Sequence, residues 1–255
     1  MGKTTILRRV LLAGATALAA TGFATSAWAQ KTKLTVYTAI ENEQLEPFKK
    51  AFEADNPTIE IAWVRELYPA ARDYLDTYEA HGLLGSRGVY GHAIHLTERE
   101  KHRLREVDAS LVHCPTSNTF IGSGLFDITL ARDIRVGLAT DTGGGSSFSM
   151  LRTMAAAYEV AQLRGKALHP AELWWLATAA SARALHAQDQ IGNIARGMEA
   201  DLTILDLAST PAIAQASARA SDIWSAVFPT VMMGDDRAVH ATHVLGSPAH
   251  LRTHA

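Results

Sequence analysis

The pattern of apolar and polar positions divides the chain near residue 65. Residues 34–38 alternate apolar and polar side chains and are rich in β-formers, which predicts a strand. A helix is expected over 42–55, where apolar residues recur at helical spacing, and Asn56-Pro57 ends it. Residues 59–64 then predict a second strand. The first sixty-five residues therefore contain a βαβ unit of about thirty residues.

The middle of the chain has three short apolar runs, each followed by polar residues. These runs, 89–92, 109–113 and 136–139, predict strands. A helix with a capping box at its start is expected over 97–107, and another over 125–133. The alternation of strands and helices favours parallel β/α units.

Beyond the third run the pattern becomes mainly helical. Helices are expected over 149–164, where Gly165 ends the first of them, and over 170–185. Strand patterns return over 191–206 and 238–245. We expect four segments: a leader at 1–29, an N-terminal fragment at 30–65, a partial barrel at 66–188 and a C-terminal helix and β-sandwich part at 189–255.

The first thirty residues contain the three regions of a secretory signal peptide in the usual order. A positive region with Lys3, Arg8 and Arg9 precedes an apolar run over 10–20, which is too short to span a bilayer comfortably. Ala27-Trp28-Ala29 then predicts cleavage before Gln30. A buried N-terminal helix is the alternative. The sequence thus favours an exported protein that is not membrane-bound after cleavage.

Composition narrows the classes of function. The chain is 47% hydrophobic with a formal net charge of −2, which indicates a globular protein and argues against a nucleic-acid partner. Cys114 is its single cysteine, so an internal disulfide framework and a cysteine-rich zinc site are both excluded.

Two polar residues at strand ends, His92 and Asp141, are the candidate catalytic residues. Carboxylates and histidines at the carboxyl ends of parallel strands face a shared pocket in α/β barrels. There they can hold zinc, orient water and move its proton. Two alternatives are that Asp141 caps the following helix and that His92 is a satisfied core histidine.

Residues 34–43 and 48–57 resemble the mature start of a periplasmic solute-binding protein. The similar class is the iron(III) or 2-aminoethylphosphonate receptor of ABC transporters. This resemblance covers about residues 1–65 and implies export. It also provides an alternative function, a fragment of a substrate-binding protein.

Residues 62–245 resemble the C-terminal part of the guanine deaminase family, within the amidohydrolase superfamily. The matching stretches are Ala62–Pro69, Gly91–Leu96, His113–Asn118, Gly122–Gly124, Gly137–Gly144, Ile191 with Gly192 and Gly197, Ala200–Leu202 and Met233–Arg237. The resemblance implies strands six to eight of a zinc-containing (β/α)8 barrel and part of a small β-sandwich. It further implies hydrolysis of guanine to xanthine and ammonia in purine catabolism, a cytoplasmic location, and leaves a homodimer open.

The resemblance gives each matching residue a role. Asp141 corresponds to the eighth-strand aspartate, which binds zinc and handles the proton of the attacking water. His92 corresponds to the sixth-strand histidine beside that water and the substrate. His113 and Ser117-Asn118 would form the pocket wall, and His95 would face away from the site.

Several family residues have no counterpart here. The first-strand His-x-His pair, the fifth-strand histidine with its glutamate, and the substrate-reading arginine and glutamine are all missing. We therefore expect no activity unless the missing N-terminal half is supplied. Residues 59–66 resemble both families, which predicts a chimera joined in this stretch. A non-functional chimera is one form of this hypothesis.

Overall fold

A computed structural model describes residues 31–37, 42–64 and 71–253. The chain divides into two units, residues 1–67 and 68–255. The leader expected at 1–29 lies outside the described residues. The assignment of the four expected segments to their parent proteins stays a prediction.

The first unit is a parallel βαβ motif, as the sequence predicts. Strand β1 (Thr32–Tyr37), helix α1 (Asn42–Asp55) and strand β2 (Ile59–Val64) follow in order, and Thr32 lies opposite Ile59. Leu45 and Ile61 are buried. Phe48 and Phe52, which belong to the apolar positions of the predicted helix, are exposed.

The second unit begins with helix α2 (Tyr74–Ala80) and contains a parallel sheet of three strands, in the order β3, β4, β5. These strands are Val89–Gly91, Ser110–His113 and Arg135–Leu138, and helix α3 (Glu98–Glu106) connects the first two. Fully buried side chains from strands, loops and helices form its core, among them Leu104, Leu111, Phe126, Met154 and Leu173. The predicted β/α alternation is confirmed in this region.

A buried carboxylate joins the starts of α2 and α3. Thr97 and Glu100 form the predicted capping box, in which the Thr97 N–H donates to Glu100 Oε2 at 2.8 Å. The other oxygen, Oε1, accepts from the Leu75 N–H at 3.0 Å. Glu100 is only 3% exposed, and its hydrogen bond with the Leu75 N–H is buried.

Two predicted helices take different forms. The segment 125–133 contains only a 3-10 helix, Ile128–Arg132, because Phe126 is buried in the core and the Asp127 side chain caps the turn after it. The predicted helix 170–185 is divided at Thr178 into α6 (Pro170–Ala177) and α7 (Ala179–Ala184). Thr178 has φ −126° and ψ −94°, outside the helical region.

The rest of the second unit combines helices with an antiparallel sheet of three strands. Helix α4 (Pro115–Phe120) precedes β5, and α5 (Met150–Leu163) follows it. The later elements are β6 (Leu202–Leu205), α8 (Pro211–Ser217), α9 (Ile223–Met233), a 3-10 helix (Asp236–Ala238), β7 (Val239–Val244) and β8 (Ser247–Leu251).

Of the predicted β region 191–206, only β6 is a strand. The elements α4, α8, α9 and β8 were not predicted. The three strands pair in the order β6, β7, β8. Within the described residues, no helix combines the length and apolar content needed to cross a bilayer. The β-sandwich itself stays a prediction.

Among the described residues, no strand pairs with the outer edge of β3 or of β5. Helix α7 lies against the outer edge of β5, where the Leu138 N–H donates to Ser181 Oγ at 3.0 Å. A Cβ added to Gly137 would lie 3.0 Å from the same oxygen, so the glycine permits this close approach. No strand among the described residues pairs with the outer edge of β3.

Candidate functional site

Three potential metal-binding side chains meet at the carboxyl ends of the parallel strands. His92 follows β3, Cys114 follows β4, and Asp141 lies three residues beyond β5. One donor atom of each lies within 4.8 Å of the donor atoms of the other two. The structure thus brings the predicted pair, His92 and Asp141, together and adds the thiol of Cys114.

The backbone at two of these positions is left-handed. His92 has φ 67° and Asp141 has φ 50°, and Ala93 also has a positive φ. Non-glycine residues in this region cost roughly 1–3 kcal/mol each and are common at functional sites. The His92 N–H donates to Val112 O at 3.0 Å, which holds the strained residue against β4.

Asn118 fixes the ring of His92. His92 Nδ1 lies 2.7 Å from Asn118 Oδ1. Because an amide oxygen can only accept, Nδ1 must carry the hydrogen, and Nε2 of the neutral ring keeps its lone pair. Nε2 lies 3.8 Å from Asp141 Oδ2. The lone pair is therefore on the nitrogen that faces the carboxylate.

Helix α4 supplies Asn118 and Ser117 from beneath the site. Pro115 occupies its first turn, where a missing N–H costs nothing, and both polar side chains are 1% exposed. The Ser117 hydroxyl and the Asn118 Nδ2 have no hydrogen-bond partner among the described residues. The pocket-wall role expected for this pair stays a prediction, to which the structure adds the Asn118 contact with His92.

A tight glycine turn holds Asp141. The N–H groups of Gly144 and Gly145 both donate to Asp141 O, at 3.0 and 2.5 Å. A Cβ on Gly145 would lie 2.1 Å from Thr140 O, so only glycine allows this path. The alternative that Asp141 caps the next helix is wrong, since the Ser149 hydroxyl caps α5.

Cys114 lies deepest of the three. It is 4% exposed, and its Sγ lies 3.7 Å from Val112 O. Burial, and then the nearby charge of Asp141, raise the pKa of the thiol to about 11. In the absence of a metal, this side chain is a neutral thiol at neutral pH.

The other two histidines that the sequence analysis singles out lie outside this cluster. His113 is 1% exposed and stacks on Phe126, with ring centroids 4.6 Å apart. Burial lowers the pKa of His113 to about 3, so its ring is neutral. His95 Nε2 hydrogen-bonds to Ser123 O at 3.0 Å.

Cys114 was not predicted from the sequence as a member of the site. Side chains alternate between the faces of a strand, so neighbouring residues point to opposite sides. His113 packs beside Phe126 in the core, whereas the thiol of Cys114 lies with the side chains of His92 and Asp141. Because His113 was expected in the pocket wall, alternation would have placed Cys114 on the opposite side, and no sequence signal identified the cysteine.

Known proteins are similar to this chain over most of its length. The model described as "Amidohydrolase family" matches residues 48–247, beginning inside α1. Guanine deaminase of Escherichia coli is 41% identical over 189 residues, which are 73% of this chain and 43% of that protein. Guanine deaminase of Mus musculus is 33% identical over 198 residues, 73% of this chain and 44% of that protein.

A solved structure is also similar to this chain. The E. coli guanine deaminase structure superposes with a TM-score of 0.71 at 33% identity, covering 84% of this chain and 53% of that chain. The chain thus spans less than half the length of the two curated relatives.

Proposed function

The chain belongs to the amidohydrolase family, and from this premise we propose that it carries the C-terminal strands of a metal-dependent (β/α)8 barrel that hydrolyses guanine to xanthine and ammonia. The 41% identity to E. coli guanine deaminase supports guanine as the substrate. The observation that carries the proposal is the convergence of His92 and Asp141 at the ends of parallel strands, with Asn118 behind the histidine.

The donor set at this site suits zinc. Carboxylate oxygens and imidazole nitrogens are established zinc donors, and a catalytic zinc takes three protein ligands with one open position. Asp141 is the ligand that the family resemblance implies. Zinc, when bound, supplies a lowered pKa of water and stabilises developing negative charge.

The chain's own residues would position water and move a proton. Asp141 Oδ2 is the proposed acceptor of the proton from the attacking water and its donor to the departing amino group. The lone pair on His92 Nε2 orients water or substrate, since the other ring nitrogen is held by Asn118. Asn118 is therefore a positioning residue.

The described residues supply only part of this machinery. The described part of the second unit contributes three parallel strands, whereas the proposed barrel needs eight. Because the family's remaining metal-binding histidines lie on earlier strands, we propose that a polypeptide carrying those strands must be supplied before guanine is turned over.

Complementation tests the proposal. The purified chain is assayed for xanthine production alone and after mixing with the N-terminal portion of E. coli guanine deaminase that it does not cover. We expect no turnover alone, and turnover in the mixture that Asp141→Asn abolishes. Turnover by the chain alone, lost in Asp141→Asn, would show that its own residues suffice. A stable but inactive complex of the two pieces would count against the assignment of the barrel strands.

We also propose that residues 1–29 direct export, on the basis of the order of charged, apolar and small residues in the sequence. The N-terminal mass of the protein from a periplasmic extract tests this, because cleavage would leave Gln30 first. Solute binding by residues 30–65 is not proposed, since a receptor clamps its ligand between two complete lobes. A homodimer stays a prediction.

A further inference from the structure

The three donors at the strand ends come from this chain alone, and one of them has no role in the proposed deaminase chemistry. We propose that the chain by itself binds one divalent transition-metal ion through His92 Nε2, Cys114 Sγ and a carboxylate oxygen of Asp141. The family resemblance implies only Asp141 as a metal ligand. The imidazole and thiol ligands are specific to this inference, which concerns the chain without the missing barrel strands.

The histidine is already oriented as a ligand. Metal-binding histidines typically donate the second ring N–H to a carbonyl or carboxylate, which fixes the ring and its tautomer. Asn118 Oδ1 accepts that hydrogen bond from His92 at 2.7 Å and is itself buried. Nε2 is thereby left with its lone pair on the side of Asp141.

The spacing permits coordination after small side-chain movements. Zinc bonds of about 2.0 Å to nitrogen or oxygen and 2.3 Å to sulfur place tetrahedral ligands roughly 3.3–3.5 Å apart. His92 Nε2 and Asp141 Oδ2 are already 3.8 Å apart, and no gap in the set exceeds 4.8 Å. The Sγ contact to Val112 O, at 3.7 Å, is weak and costs little to break.

The charge and access of the site also suit a divalent cation. A thiolate and a carboxylate balance its two positive charges, and the thiol proton passes to solvent as the metal–sulfur bond forms. The side chains of His92 and Asp141 are 45% and 33% exposed, so an ion can enter and keep water in its fourth position. A mixed nitrogen, sulfur and oxygen set selects zinc or cobalt over magnesium or calcium.

Cobalt(II) titration of the purified full-length chain under thiol-free reducing conditions tests the ligand set. We expect about one cobalt per chain and a near-ultraviolet sulfur-to-cobalt charge-transfer band. Because Cys114 is the only cysteine, that band can come from no other residue. Cys114→Ser should remove the band, and His92→Gln and Asp141→Asn should each weaken binding by at least about tenfold.

A matched control and a variant-free measurement complete the experiment. His102 is an exposed histidine on α3, so His102→Gln should leave both the band and the affinity unchanged. X-ray absorption of the zinc-loaded wild-type chain should show one sulfur at about 2.3 Å. Cobalt binding without the band, a zinc shell without sulfur, or no binding by the folded chain would each overturn the inference.

This inference shares its site with the proposed function but can fail separately. The cobalt spectrum reports the ligands of the isolated chain, whereas complementation reports turnover by an assembled barrel. A charge-transfer band without complementation would refute only the deaminase proposal. Complementation without the band would refute only the thiol ligand.

Discussion

Replacing Glu100 with alanine should destabilise the second unit far more than replacing its neighbour on the same helix turn. Glu100 is a buried acceptor for two backbone donors, Leu75 N–H and Thr97 N–H. Glu98 lies two residues earlier in α3, its side chain is 86% exposed, and its ion pair is with Lys101. Both variants remove one negative charge from the first turn of the helix.

The structure sets the size of the difference. Leaving the buried Leu75 N–H unsatisfied costs about 1–3 kcal/mol, and losing half of the capping box costs about 1 kcal/mol more. Because alanine has a higher helix propensity than glutamate, both variants regain a few tenths of a kcal/mol of unfolding free energy. Glu100→Ala should therefore cost about 2–4 kcal/mol. Glu98→Ala should cost less than about 1 kcal/mol, mainly through the helix dipole.

Thermal unfolding followed by far-ultraviolet circular dichroism measures these costs. For a unit of this size, 1 kcal/mol corresponds to about 2–4 °C in Tm, so Glu100→Ala should lower Tm by roughly 4–16 °C. Hydrogen exchange of the Leu75 amide gives a local measurement, because its acceptor is lost only in Glu100→Ala. Equal Tm values for the two variants, or unchanged Leu75 protection, would refute the reasoning.

Two further predictions concern the strand ends. Burial lowers the pKa of His113 from 6.5 to about 3. Between these two pH values His113 is protonated in the unfolded chain but not in the folded one, so stability falls as the pH falls from 6.5 towards 3. In urea unfolding, the metal-free wild type should lose about 2 kcal/mol of unfolding free energy between pH 7 and pH 5 because of His113. His113→Phe should lack this part of the pH dependence. Equal pH dependence of the two proteins would contradict the prediction. Gly145→Ala should displace the Asp141 turn and weaken cobalt binding, since its Cβ would lie 2.1 Å from Thr140 O. Gly85→Ala is the matched control, because a Cβ there meets nothing within 4 Å, and equal cobalt affinities of these two variants would count against the turn's role.

The sequence was sufficient to predict the parallel strands and the convergence of His92 with Asp141. Each strand is a short apolar run, and parallel strands in register carry their carboxyl ends to one edge. The contact between Asn118 and His92 could not be predicted, because α4 has only six residues and no helical periodicity to place its side chains.

The other helices and strands that the sequence did not predict depend on tertiary contacts, which the local pattern does not encode. Helix α9 contains Pro229, a residue that disfavours helix interiors, yet it packs Val231 into the core. Strand β8 is exposed along its length and forms only by pairing with β7. Thr178 divides a segment whose composition alone favours one continuous helix.

The two edges of the parallel sheet differ in whether they can accept a further strand. On the β5 side, Ser181 already accepts the Leu138 N–H, and α7 stands in the way of an incoming strand. On the β3 side no described strand occupies the outer edge. A strand added to this sheet would therefore pair with β3 and not with β5. Two copies that met through their β3 edges would occupy both of those edges, so such pairing would close at two chains.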